Sequence, residues 1–410
     1  MNYRKILLPG LLGNVIEWYD FALYGFFAIK LAKVFFPEND HLTSMLMTYS
    51  VFTIGIFLRP IGGILFGRIG DKYGRKKALL YSLFLTAIST FFIGIIPSYE
   101  QIGIYSTILL ILCRFMQGIA VGGEFTCSIV YILEHVKEEK KGFYGSLIMA
   151  SAFLGILLGS ATTFLINFLI FYLNKEELWR LPFIFGIVLA FWGYYFRKSM
   201  EETPIFKLTL SLQSKYSLKQ IDIKRVIIGT SFVIVPSAIF YLVFIYLIGY
   251  MEKNLLINPV YISFMNFMNM MLMIVSAVLM GYLSDYIGKK KVLNISLVGL
   301  FILAMPSMLL IKDASLLQAT LIHSVLSILV GISYSTIPAL LFELFNIHSR
   351  CSSISISYNL ANALFGGFAP LISTMLVYNY GIISLGYYII SLILISLSLS
   401  LLFNNSQRIT

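Results

Sequence analysis

Charge is scarce in this sequence: 12% of its 410 residues are Asp, Glu, Lys or Arg, against 59% apolar residues and a mean hydropathy of +0.87. That balance excludes a soluble globular enzyme. No His-Glu-x-x-His or Gly-x-x-x-x-Gly-Lys run occurs, so no catalytic residue, metal site or cofactor is expected. Cysteine is nearly absent. Cys113 and Cys127 fall on one expected helix, about 21 Å apart at helical rise, too far to bridge. Cys351 stands elsewhere, so free thiols are expected. The first apolar run carries Glu17 and Asp20 with no small-residue cleavage site behind it, and it is expected to remain as a span.

What is abundant is apolar runs of about twenty residues, each long enough to cross roughly 30 Å of hydrocarbon. Twelve are expected, near 11–34, 46–66, 78–97, 103–132, 143–172, 180–197, 224–250, 258–280, 292–311, 315–341, 352–377 and 382–402. With both termini inside, 22 cations lie on the cytoplasmic side. The outer side holds 6 (Lys30, Lys33, Lys175, Arg180, Lys253 and Lys312), and Arg59 and Arg114 are embedded. This asymmetry orients the chain by the positive-inside rule. The excess of +11 is therefore topological, and no nucleic-acid partner is implied.

The stretch Gly67–Lys77, GRIGDKYGRKK, returns as Gly281–Lys291, GYLSDYIGKKK, 214 residues later. A single copy could be a basic loop with glycines; two in register mark a duplicated six-helix unit. The expected fold is an all-α polytopic membrane protein of twelve transmembrane helices in two pseudo-symmetric bundles, 1–197 and 224–410. Residues 198–223 form a basic linker between them, expected to hold a short surface helix. Asp71 is expected to cap the segment after the turn, and Arg75 to fork onto a carboxylate. A second echo supports the repeat: Glu134 precedes Lys141 by 7 residues, as Glu343 precedes Arg350. Gly67, Asp71, Gly74, Arg75, Glu134 and Lys141 are thus expected to form a cytoplasmic gate, with Asp285, Lys289, Glu343 and Arg350 as its weaker counterpart.

Buried charge is confined to the first half. Glu17 and Asp20 are three apart and share one helix face, where carboxylates face water, pair with a cation or carry a proton. Asp20, Glu17 and Glu124 are the proton-coupling candidates, with Asp20, flanked by Trp18 and Tyr24, the strongest; Glu17 could instead bridge a neighbour. Arg59 lies inside the second span, Arg114 and Glu124 inside the fourth. Arg114 needs a partner, Asp20 or a substrate carboxylate, unless it belongs to a structural pair. Gly118, Gly122 and Gly123 suit close helix packing. In WRLPF, Trp179 is expected at the outer interface and Pro182 in a first turn. The second half offers Tyr358, Asn359 and Asn362 as cavity lining, with His323 as its mid-membrane titratable group, more consistent with packing than with a proton relay.

The turn GRIGDKYGRKK resembles the signature loop of the major facilitator superfamily. GNVIEWYDF, LRPIGG, RFMQGIAVGGEF, KKGFYGS, WRLPF, EETPIF and YNLANALFGG are similar to its metabolite:proton symporter family, with FIGIIPSYEQIGIY closest to the proline and glycine-betaine members. The resemblance implies proton-driven uptake by alternating access through a bacterial inner membrane, with both termini cytoplasmic, a small-molecule substrate and protons as partners, and a monomer as functional unit. Lys289 replaces the usual arginine of the second turn. Thr410 closely follows the last span, so regulation through a coiled-coil tail is not expected.

The family also carries α-ketoglutarate, citrate and shikimate. Three embedded acids (Glu17, Asp20, Glu124) against two embedded cations (Arg59, Arg114) disfavour a dianion. They suit a zwitterion whose carboxylate meets arginine and whose ammonium meets acids and the aromatic faces of Trp18 and Tyr24. Proline or glycine betaine is the expected cargo and an organic acid the alternative. A drug:proton antiporter or a transport-inactive sensor would share the fold.

Overall fold

The computed structural model describes residues 3–37, 51, 53–211 and 221–404. Among them no strand occurs and twelve helices are long and apolar enough to cross a membrane. These spans are α1 (Ile6–Phe26), α2 (Thr53–Tyr73), α3 (Arg75–Ile95), α4 (Ile104–Leu133), α5 (Glu138–Leu173) and α6 (Glu176–Lys198). Then come α7 (Ile223–Asn254), α8 (Pro259–Ile287), α9 (Lys289–Ile311), α10 (Leu316–Leu344), α11 (Ile347–Tyr380) and α12 (Ser384–Leu401). Residues 46–50 and 52 of the expected second span lie outside the described residues, as do Lys215, Lys219, Arg408 and part of the linker. The linker's expected short helix is present at Pro204–Ser211.

Two expected boundaries shift. The first run divides into α1, which ends at Phe26, and a short helix Ala28–Phe35. The charged turn shrinks to a single residue. Helix continues through Gly67 and Asp71 to Tyr73, breaks at Gly74 with φ of +108°, and resumes at Arg75. The second copy repeats this at Gly288, where φ is +101°. A backbone in that region strains any residue carrying a Cβ, which is why both copies hold glycine there. Gly67 and Asp71 thus share a helix face rather than a loop.

Contacts divide the chain into two compact units: Met1–His135, Ser151–Tyr216 and His348–Ser355; and Val136–Ala150, Ser217–Ile347 and Ile356–Thr410. These differ from 1–197, 198–223 and 224–410 chiefly by an exchange, in which the first turns of α5 and α11 each join the other half's unit.

In the first unit, α2 and α4 pack backbone to backbone. A Cβ on Gly62 or Gly122 would strike the carbonyl of Ile119 or Arg59, so small residues set this approach. Trp179, near the start of α6, is fully buried within the unit. It packs edge-on to Phe35 and Phe183, with ring centroids 5.9 and 5.8 Å away, and lies under the Arg180 guanidinium. The large apolar residues left on the outside, such as Phe164, Phe171 and Trp192, suit contact with lipid.

In the second unit, α7 and α11 each contain one π-helical turn, Leu242–Tyr246 and Asn362–Gly366. His323 is buried on α10. Its ring nitrogens meet Asn269 Nδ2 at 2.7 Å and the Val243 carbonyl at 3.0 Å, inside the α7 π-turn. Both nitrogens are thereby spent on packing.

Candidate functional site

The first unit gathers the embedded charges. Asp20 on α1 is fully buried, with the Thr90 hydroxyl of α3 beside it and Gly186 of α6 facing it, and no ion pair reaches it among the described residues. Glu17, one turn away, is likewise buried with both oxygens unpartnered there. Two arginines lie against the same Phe21 ring. The Arg59 guanidinium lies 4.2 Å from the Phe21 ring and 5.0 Å from Trp18. That of Arg114 lies 4.0 Å from Tyr24 and 5.0 Å from Phe21. Arg114 Nη1 donates to Gln117 Oε1 at 2.8 Å, and Gln117 Nε2 donates to Thr90 Oγ1 at 2.7 Å. Asp20 is therefore not the hydrogen-bonding partner of Arg114. Trp18 and Tyr24 already hold arginines on their faces, a role different from the ammonium contact expected of them.

Glu124 is placed differently from the sequence expectation. It makes a two-pronged ion pair with Arg197 of α6, one prong at 3.0 Å, and accepts from Ser82 Oγ at 2.5 Å. Arg197 also donates to the carbonyls of Leu79 and Pro9, which ties α1, α3, α4 and α6 together. Arg197, at the end of a span where a cation is expected to face the cytoplasm, is fully buried. The embedded inventory is thus three acids and three arginines, and the expected acidic surplus disappears.

At the charged end of this unit, Asp71 does not cap α3. Its Oδ1 accepts from the backbone N–H of Cys351 at 2.9 Å, and its Oδ2 from the N–H and hydroxyl of Ser352 at 2.8 and 2.7 Å. A carboxylate there meets orphan donors at the positive end of the α11 helix. Gly67, one turn earlier, leaves room, since a Cβ would stand 2.7 Å from the Ser352 Cα. The start of α3 is capped instead by Glu202, which accepts from the N–H of Arg75 at 3.0 Å and of Lys76 at 3.2 Å. Sequence reasoning missed Glu202, whose only signal was its place in EETPIF. Arg75 meets Glu134 with Nη2 alone at 2.9 Å, because Nη1 donates to the Gly70 carbonyl at 3.2 Å, so the expected fork is a single bond, and Arg350 joins that carboxylate at 3.4 Å.

The second unit mirrors the clasp. Asp285 accepts from the backbone N–H of Gly142 at 2.7 Å and of Phe143 at 2.9 Å, at the start of α5. Lys289 pairs with Glu343 at 2.8 Å. Lys141 departs from its expected cluster: it bonds Glu138 and lies 4.2 Å from the Phe342 ring. Tyr358, Asn359 and Asn362 are buried in this unit. Asn362 is spent locally, accepting from Ser237 and donating to the Tyr358 carbonyl, each at or near 2.9 Å.

Cys351 meets Cys127 beside Gly70, both thiols standing within 3.4 Å of where a Cβ there would be. That pair reports on the Asp71 clasp. Copper–phenanthroline should join the two cysteines in native membranes. Asp71→Asn, which removes the charge and one acceptor, should lower the yield several-fold; an unchanged yield would show that Asp71 does not hold α11 in place.

These features define a membrane transporter, and the chain belongs to the major facilitator superfamily. Residues 6–224 match the family model described as "Sugar (and other) transporter", and residues 226–408 match "Major Facilitator Superfamily". Among characterised relatives, the proline/betaine transporter of Escherichia coli K12 is 34% identical over 396 residues, covering 91% of this chain and 78% of that one. A glycine betaine/proline/ectoine/pipecolic acid transporter of Dickeya dadantii is 33% identical, covering 91% and 77%. Of solved structures, a double-tryptophan variant of XylE aligns with a TM-score of 0.80 at 18% identity, over 97% of this chain and 94% of that one. The human organic anion transporter MFSD10 aligns with a TM-score of 0.73 at 14% identity, over 98% and 100%.

Proposed function

We propose that this protein imports a small zwitterionic osmolyte, of the proline and glycine-betaine kind, together with protons by alternating access. The observation that carries the reading is the set of two buried acids, Asp20 and Glu17, and two aromatic-backed arginines, Arg59 and Arg114, within one unit. With Glu124 and Arg197 matched to each other, the remaining charges sum to zero, which suits a solute of no net charge. A dianion would call for surplus positive charge. In this reading the substrate carboxylate meets the fork of Arg114 or Arg59. Its ammonium turns toward the acids, because the ring faces already carry guanidinium groups. The names of the relatives support the same cargo class.

Asp20 is assigned the proton, since no ion pair holds it among the described residues. The Asp71 and Asp285 clasps, each bonding a helix start, would close and release in turn as the binding site changes sides. The cation bias supports a bacterial inner-membrane placement with both termini inside, and the unit of function is a monomer.

Radiolabelled proline, glycine betaine, α-ketoglutarate and shikimate, offered to proteoliposomes with and without an imposed pH difference, test the proposal. Proline or betaine should accumulate only with the gradient, and Arg114→Ala should lose that uptake. Accumulation of the organic acids alone would favour an organic-acid symporter, and net export would favour an antiporter. No flux of any of the four would leave the sensor reading.

A further inference from the structure

Beyond transport itself, the second unit carries a pocket of about 330 Å³ at its charged end, between the starts of α7 and α9 and the ends of α10 and α12. Arg225, Ile228 and Phe232 line it from one face of α7, spaced by three and four residues. That face descends about 10 Å from a guanidinium to an aromatic ring at helical rise. Leu340 continues the apolar floor, while Lys290 and Ser400 complete the polar mouth.

The carboxylates at this mouth do not use up all of its cations. Lys289 is neutralised by Glu343, which also lines the pocket, at 2.8 Å. Its neighbour Lys290 is exposed and makes no hydrogen bond or ion pair among the described residues. Arg225 is fixed in orientation because Nη1 donates to the Leu344 carbonyl at 3.3 Å and to Asn346 Oδ1 at 2.9 Å. Its Nε is buried without a hydrogen bond. Asp222 Oδ2 pairs with that Nε at 3.4 Å, while its Oδ1 accepts from the backbone N–H groups of Lys224 and Arg225 as the cap of α7. Lys224 and Lys291 flank the site, so positive charge exceeds negative around it.

We infer that this pocket binds one anionic phospholipid, its phosphate between Arg225 and Lys290 and an acyl chain along Ile228, Phe232 and Leu340. Basic pockets between spans at a membrane surface take anionic headgroups. The apolar descent along α7 matches a lipid and not a free anion, which would leave that wall unused. A zwitterionic lipid carries an ammonium that would meet like charge at Lys290.

The test is retention of phosphatidylglycerol by the whole protein in native mass spectrometry, from nanodiscs of equal phosphatidylglycerol and phosphatidylethanolamine. One phosphatidylglycerol should persist per molecule. Arg225→Gln and Lys290→Gln should each lower its occupancy several-fold, while Lys312→Gln, at the far end of α9, should not. Lys290 makes no internal bond, so its variant probes the site without disturbing the fold. Equal retention by all variants, or phosphatidylethanolamine held as well as phosphatidylglycerol, would overturn the inference. Displacement by inorganic phosphate would overturn it too, by making this a free-anion site.

Discussion

An Asp20→Asn variant should still bind substrate and exchange it across the membrane, yet fail to accumulate it against a gradient. The amide keeps the size and hydrogen-bonding reach of the carboxyl but cannot take up and release a proton. Asp20 sits among Thr90, Gly186 and the aromatic residues of α1, with no salt bridge to satisfy, so the substitution breaks no ion pair and should leave the fold intact. A one-unit pH difference is worth about 1.4 kcal/mol per proton, or about tenfold in concentration. Wild-type proteoliposomes given that difference should therefore accumulate substrate by about that factor per coupled proton, and the variant should only equilibrate. The comparison of uphill uptake with counterflow reads this directly. If the variant accumulates normally, Asp20 is not in the proton path, and Glu17, a buried acid with neither oxygen hydrogen-bonded among the described residues, becomes the candidate.

The legible and the illegible parts of this molecule separate along a physical line. Spans are set by local apolar length, so their number and order follow from the sequence. The repeat at Gly67 and Gly281 is local as well, and it marks the two sites where helix starts are clasped. The partners in those clasps are not local. Asp71 bonds backbone N–H groups 280 and 281 residues away, and backbone donors carry no residue signature. The seven-residue echo pointed to the right charges but grouped them by chain half, whereas the fold trades Arg350 for Lys141 around Glu134. Arg197 was the costliest omission, and a signal for it existed. The residues Gly186, Ala190, Gly193 and Arg197 recur at helical spacing and form the buried face of α6. Extending that face by one turn would have carried the guanidinium inward, despite the neighbouring Lys198.

The Arg197 pair makes the largest stability prediction. Arg197→Met leaves the Glu124 carboxylate in a buried site with Ser82 as its remaining hydrogen-bond partner. Removing one member of a buried pair costs about 3–5 kcal/mol, because the other charge is left uncompensated. Four helices also lose a common anchor, since the same guanidinium bonds the Leu79 and Pro9 carbonyls. Arg197→Met should therefore lose most of its monodisperse peak on mild heating in detergent, a loss followed by size exclusion. Replacing both partners is a different experiment. Arg197→Met with Glu124→Leu removes both charges, and such swaps are often neutral or stabilising, so much of the lost thermal resistance should return. The recovered double variant then separates two roles for Glu124. If the residue is an anchor, as its two-pronged bond to Arg197 argues, gradient-driven uptake survives with the fold. A double variant that is stable but no longer accumulates substrate would place Glu124 in the proton path beside Asp20, and the Arg197 pair would then be a bond the transport cycle has to break.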